Sequence, residues 1–246
     1  SYLLALDPKT GKQLWKHYRP AKARSESLEA FSTPMPFSHN GRDEIVIVGG
    51  DCLTGHDPKT GKELWRWGTW NPSRIGHWRL VPSPVAGKGV LLACGPKGAP
   101  VFAIKAGAKG DVSEDKSSIA WHSEGRRDQV TSDVSTPLFY QGNFYVLYGE
   151  GRDKILSCVD PKSGKAKWAT DLESRSLFRG SPTGADGKLY VQNHAGTVHV
   201  IDAKSGKVLH KTNMGEPGDD QTRATIAVAH GNLFIRTNSR LYCIGS

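Results

Sequence analysis

Long apolar runs are missing from this chain: no stretch of about 18 apolar residues is present that could span a bilayer. The N-terminal stretch SYLLALDPKTGK lacks the basic, apolar and small-residue order of a signal peptide, so an exported form is expected to have lost that segment already. Cysteine is scarce. Cys52, Cys94, Cys158 and Cys243 show no CxxC or other metal-ligand spacing, which excludes a zinc site and an obvious disulfide framework and leaves buried free thiols as the expectation. Helical periodicity is also absent, since no amphipathic stretch with a 3.6-residue period reaches a dozen residues. Gly-x-Ser-x-Gly, His-Glu-x-x-His and a phosphate-cradling glycine loop are missing too. No catalytic set is therefore assigned from spacing.

What is present is repetition. Twenty-eight glycines and fourteen prolines separate short runs rich in Val, Ile, Leu, Tyr and Phe, which reads as all-β. The phrase DPKTGKQLW (Asp7 to Trp15) returns as DPKTGKELW (Asp57 to Trp65), DPKSGKAKW (Asp160 to Trp168) and DAKSGKVLH (Asp202 to His210). The turn aspartates lie 50 residues apart at Asp7 and Asp57 and 42 apart at Asp160 and Asp202, about the length of one propeller blade. Each unit opens on a Ser/Thr-Pro strand, as in STPMPF at Ser32 and STPLFY at Ser135. A second strand such as EIVIVGG, a third such as ILSCVD and a fourth ending in tryptophan follow. Four short strands joined by tight turns make an antiparallel meander.

The turn phrase has a physical logic. An Asp at its head bonds backbone N–H groups two residues on, Pro presets φ near −65°, and the glycine takes the positive-φ corner. Trp15, Trp65, Trp121 and Trp168 stand on the outer strand and are expected to wedge between neighbouring units, each burying roughly 150 to 250 Å². An insertion after Gly107 precedes Trp121.

The pattern Ala/Val-x-Asp-x-x-Thr/Ser-Gly-x-x-x-Trp resembles the tryptophan-docking repeat of the PQQ-like β-propeller family. That family includes quinoprotein alcohol dehydrogenases and the propeller lipoprotein of the outer-membrane barrel assembly machinery. The resemblance covers almost the whole chain. It implies an all-β propeller of four-stranded antiparallel blades, with a half blade at 1–16, blades at about 32–66, 82–122, 135–169 and 180–211, and an incomplete blade at 224–246. Family propellers usually have seven or eight blades, so the resemblance also implies an incomplete, C-terminal portion of a larger propeller. Exported proteins dominate the family, which implies a periplasmic or secreted location.

In a radial meander the loops between blades share one face, and the Asp-Pro-Lys-Thr-Gly turns lie on the other. The turn face carries Lys9, Lys12, Lys59, Lys62, Lys162, Lys165, Lys204 and Lys207, much of the basic excess behind a formal net charge of +9. Such a ring suits an anionic partner, and lysine also simply solubilises exposed hairpins. Nucleic acid is not expected, because no aromatic platform is interleaved with these lysines.

On the loop face, WRWGTWNPSRIGHWRL (Trp65 to Leu80) places Trp67, Trp70, Arg74, His77, Trp78 and Arg79 in one connection. Indoles and guanidinium forks suit a flat or anionic ligand such as a sugar, a quinone or a carboxylate. A loop of this length must equally pack its own side chains. Arg126, Arg127, Arg179, His194 and Arg223 are aimed by the blade geometry at the same funnel. The acidic stretches with Asp111, Glu114 and Asp115 and with Glu216, Asp219 and Asp220 lack the spacing of a calcium loop, so no metal site is assigned.

Two functions fit this reading. One is a non-catalytic binding or scaffold propeller that presents its loops to a protein, glycan or small molecule and needs no cofactor. The other, implied by the resemblance, is a PQQ-dependent alcohol or sugar dehydrogenase domain with quinone and calcium on the propeller axis. Against the second, the chain has no adjacent cysteine pair and no aspartate that matches the catalytic one by motif.

Overall fold

The computed structural model describes residues 1–68 and 70–245, and Thr69 and Ser246 lie outside the described residues. Every described sheet is antiparallel except at one added strand. Strands β1 (Tyr2–Leu6) and β2 (Gln13–Tyr18) pair alone. A four-strand meander follows in β3 (Met35–His39), β4 (Arg42–Gly49), β5 (Cys52–His56) and β6 (Glu63–Trp67). The next sheet holds β7 (Val85–Gly87), β8 (Val90–Cys94) and β9 (Val101–Lys105). After β9 the chain leaves to form β10 (Gly110–Asp111) and returns as β11 (Ile119–His122). Two further meanders are β12 (Leu138–Tyr140), β13 (Asn143–Tyr148), β14 (Ile155–Val159), β15 (Ala166–Asp171), and β16 (Thr183–Ala185), β17 (Lys188–Gln192), β18 (Thr197–Asp202), β19 (Val208–Asn213). Strands β20 (Ala227–Ala229), β21 (Asn232–Arg236) and β22 (Leu241–Ile244) make the last sheet. The result is an all-β propeller built on four-stranded antiparallel blades. No helix among the described residues is long and apolar enough to cross a membrane.

The second strands read as continuous apolar runs because both of their faces are covered. On β13, Phe144 and Val146 pack with Leu92 and Ala103 of the preceding blade, whereas Tyr145 and Leu147 pack with Leu189 and Ile201 of the following one. Successive side chains of a strand point to opposite faces, so each blade contributes to two cores. A half-exposed antiparallel sheet would alternate apolar with polar; these strands do not.

The turns close as their residues dictate. Asp57 Oδ1 accepts the Lys59 and Thr60 N–H groups at 2.8 Å each and the Thr60 hydroxyl at 3.0 Å. Asp7 and Asp160 repeat the arrangement with Thr10 and Ser163. Backbone N–H donation from Thr60 leads the causes that hold the Asp57 carboxyl below the ordinary range. Gly61 sits at φ +73° with the Trp15 ring against it, and a Cβ there would lie 2.4 Å from that ring. The Trp15 indole N–H donates to Pro58 O at 3.2 Å, and the Trp121 indole N–H donates to Pro161 O at 2.8 Å. The repeated phrase thus supplies both halves of a contact between consecutive blades.

Trp65 behaves differently, because the following blade has Lys105-Ala106-Gly107 where the others have the full turn phrase. Its indole lies over Gly55 of its own sheet, where a Cβ would come within 2.0 Å of Nε1. The indole N–H donates to the buried carboxylate of Glu44 at 2.5 Å, and the Arg42 guanidinium donates to the same carboxylate. Arg42 also donates to Ala108 O at 2.8 Å. The inserted segment then runs as β10 parallel to β6, with Gly110 opposite Trp65 and Asp111 opposite Arg66. A strand borrowed from the next blade therefore covers the outer edge of β6, which would otherwise present unpaired backbone.

Candidate functional site

The start of each blade's innermost strand builds a floor around the propeller axis. The Thr33 N–H donates to Ser83 Oγ at 2.8 Å. Ser83 N–H donates to Thr136 Oγ1, Thr136 N–H to Ser181 Oγ, and Ser181 N–H to Thr225 Oγ1, each at 3.0 Å. This relay explains the hydroxyl residue before the proline or isoleucine in every unit. It ties five blades together at their narrowest spacing, where a backbone donor would otherwise lack a partner.

Two residues upstream of each relay hydroxyl stand Phe31, Val81, Val134, Arg179 and Arg223, which are equivalent positions of the repeat. All five line one axial pocket of about 520 Å³, with His77, Arg79, Pro96, Lys97 and Asp133 completing its wall. One arc is apolar, formed by Phe31, Val81 and Val134. The other is cationic, formed by Arg179 and Arg223.

The charges around the pocket are unevenly paired. Arg179 Nε donates to Glu150 Oε1 at 2.9 Å, whereas among the described residues Arg223 bonds only the neutral Gln221 side-chain oxygen, at 2.8 Å. Arg79 meets Glu26 at 3.3 Å in an exposed pair. Asp133 accepts the Lys97 backbone N–H at 2.6 Å and leaves the Lys97 ammonium without an ion pair among the described residues. Near the cationic arc, His194 is buried with its Nε2 unpartnered among the described residues. Its backbone is fixed by donation to Leu177 O at 2.8 Å and by accepting the Thr222 N–H at 3.0 Å. Burial first, then the nearby Arg179 and Arg223 charges, hold the imidazole below its ordinary pKa.

Of the residues expected to form a binding funnel, His77, Arg79, Arg179 and Arg223 converge on this pocket, and His194 is buried near enough to feel the Arg179 and Arg223 charges. The others are placed elsewhere. Trp67 and Trp70 are core residues: their rings meet at 4.8 Å and pack on Phe102, so neither indole face is open to a ligand. Arg74 Nε donates to Lys22 O at 2.7 Å, and the residue lines a separate pocket of about 380 Å³ with Asp51 and Arg66. Trp78 is half-buried, and its backbone N–H donates to Ser27 Oγ at 2.9 Å. The Trp65 to Leu80 connection is thus pinned against residues 24–31, with Ser27 and Ala30 bonded or bridged to Ile75, Gly76 and Leu80. Arg126 lies 5.1 Å from the Tyr148 ring centroid and lines a different cavity of about 500 Å³, while Arg127 is exposed. Sequence reasoning missed Phe31, Val81, Lys97, Val134 and Asp133. The signal for the apolar three was their shared position ahead of the Ser/Thr-Pro strand.

The acidic stretches serve their own loops. Asp111 and Asp115 accept the Ser113 and Ser117 N–H groups, and Asp219 accepts that of Glu216. On the opposite face the eight turn lysines are exposed, and none is in an ion pair among the described residues.

A calcium-bound quinone does not fit the axial donor set. Calcium takes about six to eight oxygen ligands. Among the described residues Asp133 alone brings a carboxylate to the pocket wall, and Glu150 nearby is held by Arg179. Among the described residues no group of three or more His, Cys, Asp and Glu side chains is arranged to hold a metal. The free cysteines Cys52, Cys94, Cys158 and Cys243 lie in four different sheets, and burial pushes the Cys94 thiol up to about 12.

No curated protein matches the chain. Among solved structures, BamB from Moraxella catarrhalis is similar at 15% identity with a TM-score of 0.67, over 96% of this chain and 63% of that one. Quinohemoprotein alcohol dehydrogenase from Comamonas testosteroni aligns at 14% identity and a TM-score of 0.65, over 91% and 43%. Sqt1 of Saccharomyces cerevisiae aligns at 11% and 0.70, over 99% and 65%. The chain therefore spans less than two thirds of the length of each, and at these identities the likeness is one of fold. The family described as outer membrane protein assembly factor BamB matches residues 1–114 and 108–244, and the chain belongs to that PQQ-like propeller family.

Proposed function

We propose that the chain is a non-catalytic binding propeller, a scaffold whose axial loop face recognises an anionic group on a protein or glycan partner. The observation that carries this reading is the convergence of Arg79, Lys97, Arg179 and Arg223, from four separate chain segments, on one axial pocket. Cations gathered in a concave site focus field lines and raise the local concentration of anions. The poor fit of the axial residues to a calcium-bound quinone weighs in the same direction. Family membership supports a protein partner and a periplasmic or secreted location. The lysine-bearing turn face adds long-range attraction for anionic surfaces, over roughly 8 Å at physiological salt.

A labelled polyglutamate peptide tests the reading by fluorescence anisotropy. Binding is expected to fall at least tenfold when Arg79, Arg179 and Arg223 are replaced by glutamate. Unchanged binding by that variant, or dye-linked alcohol oxidation on adding quinone and calcium, would overturn it.

A further inference from the structure

The axial pocket is two-sided, and its two sides call for two chemistries in one ligand. Phe31 is 54% exposed, an unusual position for a phenylalanine, and it faces the pocket together with Val81, Val134 and Pro96. Across the axis stand Arg179 and Arg223 from adjacent blades. Glu150 neutralises the first; among the described residues the second has only an amide oxygen. A polyanion would satisfy the cations and leave the apolar arc wet. An apolar ligand would bury Arg223 without a counter-charge, an unfavourable arrangement for a guanidinium. A volume of about 520 Å³ suits a small ligand or one or two residues of a peptide and not a folded surface.

We infer that this pocket takes an amphipathic carboxylate, its anionic head held between Arg223 and Arg179 and its apolar body laid against Phe31, Val81 and Val134. The inference rests on the binding-propeller reading above and narrows it to a ligand class. Two sources share the chemistry: the free C-terminus of a polypeptide ending in an apolar residue, and a small apolar carboxylic acid. Arginine suits the head because its fork donates two parallel bonds to a carboxylate, and such charge-assisted bonds are about twice as strong as neutral ones. His194 supplies a reporter. The imidazole is buried near Arg179 and Arg223, with Glu150 and Asp220 as the opposing charges. A carboxylate seated between the two guanidiniums offsets their repulsion of the imidazolium, so the His194 titration should move upward on binding.

The test uses the whole chain and three probes: an acetylated peptide ending in Leu-Phe with a free carboxylate, the same peptide with a C-terminal amide, and 4-phenylbutyrate. Calorimetry measures affinity, and NMR follows the His194 imidazole. The free-acid peptide is expected to bind at least tenfold more tightly than its amide and to raise the His194 pKa. Arg223→Gln should remove most of that preference, and Phe31→Ala should weaken acid and amide alike. Both sites are exposed at the pocket rim, so the variants are expected to melt with the parent protein. Binding of 4-phenylbutyrate but not of the peptide supports the inference with a small-molecule source; the reverse supports it with a peptide terminus. Equal affinity for acid and amide overturns it, as does retention of the preference in Arg223→Gln. If none of the three probes binds while polyglutamate still does, the amphipathic ligand is wrong and the anion-binding propeller stands.

Discussion

The Trp121 indole lies on Gly164 of the following blade and donates its N–H to Pro161 O at 2.8 Å. One blade later the equivalent Trp168 lies on Gly206, but its N–H has no partner among the described residues. The carbonyl it would have met belongs to Ala203, and the Tyr145 hydroxyl donates to it at 3.0 Å. The two joints share a shape and differ in the side chain that donates to the turn carbonyl.

That difference predicts an asymmetry. Trp121→Phe keeps much of the packing and leaves Pro161 O unsatisfied, so it should cost about 1 kcal/mol more than Trp168→Phe, the typical net worth of one hydrogen bond. Tyr145→Phe should cost a similar amount at the second joint. Urea midpoints at constant slope provide the measurement. Equal losses at Trp121 and Trp168 would show that the indole N–H contributes nothing to the joint.

The joint without a turn phrase makes a stronger demand. Glu44 is 2% exposed and holds both the Trp65 indole N–H and the Arg42 guanidinium, which in turn grips Ala108 of the inserted segment. Arg42 is partly exposed, so removing the carboxylate leaves the buried Trp65 N–H without its acceptor beside a half-solvated guanidinium, a loss of about 1 to 3 kcal/mol. Glu44→Ala should therefore lower stability by that order and raise amide exchange at Gly110 and Asp111, whose strand it anchors. Glu44→Gln, which still offers an oxygen, should lose less. Normal exchange protection along residues 108–113 in Glu44→Ala would separate the insertion from this carboxylate.

The repeat made the propeller legible because each of its letters does local work: Asp closes the turn, the glycine admits the ring, and the tryptophan reaches the next blade at Trp15, Trp121 and Trp168, though not at Trp65. Apolar runs such as those of β8 and β13 announced strands, though only the structure showed that both of their faces are covered. The site was harder to read. Its cations, Arg79, Arg179 and Arg223, were visible, but Phe31, Val81 and Val134 looked like ordinary strand-flanking residues until the axis brought them together. Trp67 and Trp70 misled for the opposite reason, since an indole that packs a core and one that faces a ligand look alike in sequence. The parallel strand β10 had no signal at all, being two residues long and paired to a blade other than its own.

Two buried histidines set a pH window for stability. His56, bonded to Gly61 O and Thr54 Oγ1 and facing Arg19, Glu63 and His17, is held down to about 4, chiefly by burial. His199, bonded to Leu172 O, packed on Phe178 and near Lys211, is also held down to about 4 for the same leading reason. In the unfolded chain each titrates near 6.5. Above that value neither form is protonated and the stability is fully present. As pH falls the unfolded chain takes up protons that the folded one refuses, so stability drops at a slope approaching about 1.4 kcal/mol per pH unit for each histidine, until the folded form protonates too. His194, also held low, acts in the same direction. The turn aspartates Asp7, Asp57, Asp160 and Asp202 have carboxyls held below 3.8 and act only in more acidic solution. Unfolding measured from pH 7 to 4 should therefore show the loss beginning near pH 6.5, with His56→Gln and His199→Gln each flattening the slope by roughly one proton. A slope unchanged in both variants would assign the acid sensitivity to carboxylates, and with it the claim that these imidazoles stay neutral in the folded blades would fail.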